Sequence, residues 1–343
     1  MALLSAALFG ASTPFAKLLL GNGISPWLLA GLLYLGSGMG LSLYGFARRW
    51  AGWASTEASL RRNDFPWLAL VILSGGVVGP VLLMVGLATT PASSAALLLN
   101  LEGLATMVIA WTVFRENVDR RLLVGAAAIL AGAIVLSWSG GAQPVGWGAF
   151  FIAGACLAWG VDNNVTRKLS ASDPVQIAAA KGLVAGIVNL ALALATGATL
   201  PPIVPLAGAA VVGLLGYGVS LVLFVLALRH LGSARTGAYF STAPFIGAAL
   251  AVVMFGEPVS FRLGAAALLM GIGLWLHLAE RHAHEHAHDA IAHEHQHVHD
   301  AHHQHAHSDS NPPGEPHTHV HYHEPLVHSH PHYPDIHHRH GHP

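Results

Sequence analysis

A stretch that occurs twice constrains this chain more than any other feature. Residues 89–138 contain Ser94, Asn100 and Glu102, then Phe114-Arg115-Glu116-Asn117-Val118, then an apolar run opening on Gly125-Ala126-Ala127-Ala128. Residues 230–277 repeat the plan with Phe255-Gly256-Glu257-Pro258-Val259 and a run opening on Gly264-Ala265-Ala266-Ala267. Each copy is an apolar run ending in Phe-x-Glu-x-Val, followed by a second apolar run. A helix rising about 1.5 Å per residue crosses a bilayer core in about 20 residues, so each copy predicts a hairpin of two spanning helices. A duplicated hairpin of this kind implies a duplicated membrane protein.

Composition agrees where it is divided by region. Hydrophobic residues make up 53% of the chain and charged residues 10%, far from a soluble domain of this length. Hydropathy predicts ten spans, near residues 2–20, 26–47, 66–88, 92–114, 121–139, 145–165, 174–196, 205–228, 233–255 and 261–279. Met1 leads directly into the first of these, which reads as a span rather than a removed signal. The basic clusters are Arg48-Arg49 with Arg61-Arg62, Arg115 with Arg120-Arg121, Arg167-Lys168, and Arg229 with Arg235. Threading ten spans puts all four on one side and leaves Arg262 on the other, so both termini are expected in the cytoplasm. An odd number of spans per half makes the repeat inverted.

Polar residues inside these spans are the candidate site, because a carboxylate at mid-bilayer costs on the order of 3 kcal/mol and must face the bundle interior or a partner. Glu102 lies about halfway along the fourth span, near Asn100. It reads either as a proton- or cation-binding carboxylate or as a structural one tied to a neighbouring helix. The sixth span ends in Asp162-Asn163-Asn164-Val165-Thr166, which cannot face lipid all round. Asp162 with the Asn163 and Asn164 amides offers oxygens to a cation; alternatively the three cap the helix end and pair with Lys168 or the next span. Lys181 is deep enough to need a buried partner, Glu102 or Asp162, or to meet an anionic group on a substrate. Lys17, near a span end, is expected to snorkel to the interface. Glu116 and Glu257 read as helix-terminal structural groups. Cys156 is the only cysteine, so no disulfide forms within the chain, and a lone thiol reads as a small packed hydrophobe. Gly75-Gly76, Gly79-Pro80, Gly213, Gly216, Gly218 and Pro244 interrupt spans, and Gly75 and Gly216 occupy matching places in the two halves. Such breaks survive in lipid only where neighbours or a wet cavity satisfy the freed backbone.

The residues after 280 are of another kind. Only His230 and His277 of the 25 histidines precede residue 281, leaving 23 beyond it. They recur as His-x-His: His282, His284, His286 and His288; His293, His295, His297 and His299; His317, His319, His321 and His323. With six prolines from Pro312 to Pro334 and few large apolar residues, this tail is expected to be disordered. Neutral imidazoles at this density predict labile sites for nickel, cobalt or zinc; a solvated tail that charges as histidine protonates is the other reading.

Ten spans, opposed halves and two Phe-x-Glu-x-Val-to-Gly-Ala-Ala-Ala hairpins resemble the drug/metabolite transporter superfamily, specifically its EamA type with two five-helix repeats, over residues 1 to about 279. That family's Glu-Pro pair in the fourth span and its counterpart in the ninth keep one member each here: Glu102 precedes Gly103, and Pro244 follows Ala243. The family's basic residue near the start of the second and seventh spans is Leu33 in one half and Lys181 in the other. The expected fold is therefore all-α: a first EamA repeat over 1–140, a second over 141–280, and a cytoplasmic histidine-rich tail over 281–343. The resemblance implies a secondary transporter of the cytoplasmic membrane, multi-pass and possible as a homodimer. The expected activity is proton-coupled export of a small solute through Glu102, Asp162, Asn163, Asn164, Lys181 and Asn100. Some EamA-like permeases are associated with cobalt and nickel resistance, and this chain resembles them in joining such a carrier to a histidine-rich end. That places a divalent metal first as cargo. An organic metabolite or amino acid with a metal-buffering tail is the alternative, and a non-transporting metal sensor the third reading. No nucleophile or phosphate-binding motif of the required spacing occurs, so neither catalysis, a required cofactor nor a nucleic-acid partner is expected.

Overall fold

The computed structural model describes residues 1–52, 60, 62–114, 120–138, 146–166, 169, 172–227 and 239–278, together with the backbone of four short strands between 283 and 331. Helices follow the apolar runs. They are α1 (Ala2–Gly21), α2 (Pro26–Trp50), α3 (Arg62–Thr89), α4 (Ala92–Val113), α5 (Arg120–Ser137), α6 (Trp147–Thr166), α7 (Pro174–Ala195), α8 (Ile203–Ala227), α9 (Ala243–Phe255) and α10 (Phe261–Leu278). Among the described residues, 7 of these are long and apolar enough to cross a membrane: α1 to α5, α7 and α8. Helix α6 has the length, but its polar run Asp162-Asn163-Asn164 lowers its apolar character, and α9 and α10 are shorter apolar helices.

Local signals set several ends. Ser25 caps α2 by accepting from the Leu28 N–H at 3.4 Å, with Pro26 in the first turn, and Arg48 and Arg49 occupy the last turn, where cations suit the helix dipole. Asp173 accepts from Val175 and Gln176 at 2.8 and 3.4 Å at the start of α7, and Arg48 approaches the same carboxylate at 3.7 Å.

Two predicted spans are not uniform helices. Residues Ile72–Val78 of α3 and Gly213–Val219 of α8 are π-helical, with Gly75 and Gly216 each fourth in its segment. Helix α4 also breaks. Leu99 and Asn100 form a turn closed by short bonds from Leu99 N to Ala96 O and from Asn100 N to Leu97 O, and regular helix resumes at Leu101. Ser241 and Thr242 form the corresponding turn before α9.

Packing pairs the first five helices with the second five. Helix α2 lies along α7, and α5 along α10. Helix α6 packs on α3 and α4, while α1 packs on α8 and α9. Small residues permit the α2–α7 approach: a side chain on Gly38 would strike the Leu183 backbone, and one on Gly182 would strike Gly38. Between α1 and α8, Ser5 Oγ donates to Ser220 O at 2.7 Å and Ser220 Oγ to Ser5 O at 2.9 Å, both side chains buried.

In the tail, where the sequence predicts no regular structure, the backbone forms four strands: β1 (Ala283–His288), β2 (Ile291–His297), β3 (His317–His323) and β4 (Leu326–Pro331). They pair antiparallel as β1 with β4 and β2 with β3. The physical reason for the difference is the His-x-His alternation, whose period of two is that of a strand. A two-stranded ladder in water is marginal on its own.

Candidate functional site

The π segment of α3 creates the site. Widening the helical turn frees carbonyls from their usual donors, and in an apolar surround these need replacements. The Gly75 carbonyl accepts from the Tyr34 hydroxyl at 2.7 Å and from the Trp159 indole N–H at 3.0 Å. The Gly76 carbonyl accepts from the Asn189 amide at 3.0 Å. Residues of α2, α6 and α7 therefore converge on one bend.

Against that bend lies a buried ion pair. Asp162 and Lys181, 5% and 7% exposed, are joined through Asp162 Oδ2 and Lys181 Nζ, and Thr166 Oγ1 donates to the other carboxylate oxygen at 3.0 Å. Gly75 is glycine because a Cβ there would collide with the Asp162 carboxylate. In the structure Lys181 is the partner of Asp162; Lys168, the other partner the sequence offered, lies outside the described residues.

Glu102 sits in the first turn after the α4 break, partly accessible, and its Oε1 accepts from the Asn163 amide at 2.9 Å. Asn163 also donates to Thr106 Oγ1 at 3.2 Å, while the buried Asn164 donates to Thr106 O at 3.0 Å and Gly160 O at 2.8 Å. The two amides thus lock α6 to α4. The Glu102 carboxylate meets a neutral donor.

Asn100 is not gathered with them. Its amide is turned to Leu97 O at 2.8 Å and to Met270 Sδ at 3.8 Å, inside the α4 break. The Lys17 ammonium donates to the carbonyls of Leu87, Ala88 and Thr90 at 2.6, 3.2 and 2.9 Å, which end α3 without helical partners. The buried Cys156 thiol points to Leu98 O at 3.7 Å. Glu116 and the side chains of His282, His284, His286, His288, His293, His295, His297, His299, His317, His319, His321 and His323 lie outside the described residues. Among the described residues, no group of three or more His, Cys, Asp or Glu gathers to hold a metal ion.

Sequence reasoning missed an aromatic cluster beside these polar groups. Phe9 meets Trp159 edge-on at 6.2 Å, Tyr217 at 6.0 Å and Phe240 at 5.4 Å between ring centroids. Tyr34 and Tyr217 lie 5.3 Å apart, and Phe224 and Phe240 4.7 Å apart. Trp159 is one helical turn before Asn163, so the ring that meets Phe9 and the amide that meets Glu102 lie on one face of α6. The available signal was Phe9-Gly10 opposite Trp159-Gly160, an aromatic–glycine step in the first helix of each half.

Similar proteins place this arrangement. A transporter of unassigned role from Methanothermobacter thermautotrophicus is 30% identical over 228 residues, covering 64% of this chain and 66% of that protein, just under two thirds of its length. A probable terminal-alkyne amino-acid exporter from Streptantibioticus cattleyicolor is 26% identical over 219 residues, 62% of this chain and 74% of its own. One solved structure, 19% identical, superposes with a TM-score of 0.57 over 80% of this chain and 95% of its own, a likeness of fold alone. The model of the EamA-like transporter family matches residues 1–138 and again 146–279. The chain, a multi-pass helical membrane protein, therefore belongs to the EamA-like transporter family.

Proposed function

We propose that this chain is a secondary carrier of the cytoplasmic membrane that exports a small organic solute bearing an amino group and an apolar body, with amino acids as the leading class. The observation that carries this reading is the pairing of unlike surroundings. Asp162 is paired with Lys181, whereas Glu102 accepts from the neutral Asn163 amide, one turn of α6 beyond Trp159, which meets Phe9. A bundle that carries both such a carboxylate and an aromatic cluster suits an ammonium group attached to an apolar body. An amino-acid exporter among the similar proteins supports the same class.

The carrier is read as ten spans in two inverted five-helix repeats, with both termini cytoplasmic and proton exchange at Glu102 as coupling. Reciprocal packing supports this: α3 and α4 meet α6 as α8 and α9 meet α1. So do the matching π segments, where Gly75 abuts Asp162 and Gly216 abuts Ser12.

A transition metal as cargo, nickel or cobalt before zinc, is the second reading. The observation favouring it is the run of 23 histidines after residue 280, which also suits a cytoplasmic buffer beside an organic carrier. Efflux from sealed vesicles, loaded in turn with amino acids and with nickel, cobalt or zinc, separates the two. Amino-acid flux that fails in Glu102→Gln supports the organic reading; metal flux without amino-acid flux overturns it.

A further inference from the structure

Two charged side chains that the proposed substrate site does not use grip one corner of the fold. Where α3 ends and α4 begins, the last carbonyls of one helix and the first amides of the next lack helical partners. Lys17 takes the carbonyls of Leu87, Ala88 and Thr90. Glu257 accepts from the N–H of Ala92 at 2.8 Å, from the N–H of Ser93 at 3.0 Å and from the Ser93 hydroxyl. Each charge has the sign its helix end favours: a cation at a C-terminus and an anion at an N-terminus. Neither residue belongs to the helices it serves. Lys17 is on α1, and Glu257 sits in the turn after α9, where Gly256 adopts a φ of 62° and turns the chain.

Helix α4 is built to let this corner move separately. Its leading segment, Ala92–Leu98, packs chiefly on α9 and α1 and touches α6 near Cys156, while its trailing segment, from Leu101, packs chiefly on α6. The break at Leu99 and Asn100 divides them, and Glu102 begins the trailing segment. A carrier that exposes Glu102 alternately to each face must separate an end of this helix from its neighbours.

We infer that Lys17 and Glu257 form a gate lock: they hold the α3–α4 corner against α1 and α9 while the site is shut on that face, and release it when the carrier opens there. Threading the proposed ten spans puts this corner on the non-cytoplasmic face. The inference rests on the carrier reading and not on the cargo.

Cys156, the only cysteine and buried against Leu98 O at the α4 break, is a reporter already in place. The test is the rate at which a charged, membrane-impermeant methanethiosulfonate modifies Cys156 in the full chain, in right-side-out and inverted vesicles. Loss of a charge-assisted hydrogen bond corresponds to about a tenfold shift in an opening equilibrium. Glu257→Gln and Lys17→Gln are each expected to raise the rate about tenfold from the outer face and leave it unchanged from the inner face, and Lys17→Arg to keep it slow. Equal rises from both faces, or no rise in variants that purify as monodisperse protein, overturn the lock. Should Glu257→Gln fail to fold, the contrast of Lys17→Gln with Lys17→Arg decides alone. Accessibility needs no substrate, so a sided rise without flux of amino acids would count against the proposed cargo and leave the lock standing.

Discussion

Asp162 and Glu102 are carboxylates on neighbouring helices with opposite surroundings, and their variants should differ accordingly. Glu102→Gln keeps the shape and the Asn163 contact, so transport should be lost with the melting temperature in detergent little changed; retained transport at the parental rate would remove Glu102 from the mechanism. Removing one member of a buried pair strands the other charge, at a cost of about 3–5 kcal/mol. Lys181→Met is therefore expected to destabilise strongly, and Asp162→Asn added to it to restore most of the loss, as read by thermal unfolding of the single and double variants. That Asp162 and Lys181 must find partners was legible in the sequence, since an ionisable group in an apolar run has few alternatives. Their mutual choice was not, because it depends on α6 and α7 meeting at the Gly75 bend. Phe9, Tyr34, Trp159 and Tyr217 were illegible for a different reason: in a chain this apolar, an aromatic ring at the bundle centre has the same sequence context as one facing lipid.

At the scale of elements, apolar runs located the helices to within a few residues except the ninth, expected from 233 and described from Ala243, and did not locate their internal breaks. The sequence showed glycines at 75, 76, 213, 216 and 218 without showing that each group sits in a π segment. Glycine permits such a segment, while the donors that compensate for it come from elsewhere: Tyr34, Trp159 and Asn189 for the freed carbonyls of α3. This gives Gly75→Ala a definite expectation. Its methyl would meet a carboxylate that Lys181 holds in place, so the bend or the ion pair must shift, at a cost of about 1–3 kcal/mol by analogy with overpacked cores. Transport should fall with stability in Gly75→Ala. Gly103→Ala serves as control, since nothing lies within 4 Å of a Cβ there and stability should not change. If both variants melt alike, the crowding at Gly75 is not what fixes the site.

Across the whole molecule the two halves share a plan but not a charge pattern. Gly75 meets Asp162 where Gly216 meets Ser12, and Lys181 stands in the half whose counterpart carries Leu33. The ion pair thus belongs to one half only. The described residues hold no cluster of metal ligands, while 23 histidines lie beyond the last helix, so metal affinity and solute transport should separate physically. If the tail binds nickel or zinc as its imidazole density predicts, it does so whether or not the attached bundle moves anything. A chain ended after Arg281 is therefore expected to keep its rate of organic-solute efflux in vesicles and to lose nearly all nickel and zinc binding in titration calorimetry. If efflux stops on truncation although the shortened chain stays folded, the tail belongs to the transport cycle. If metal binding survives, ligands exist within the bundle, and the second reading of the cargo gains the support that the helices do not now give it.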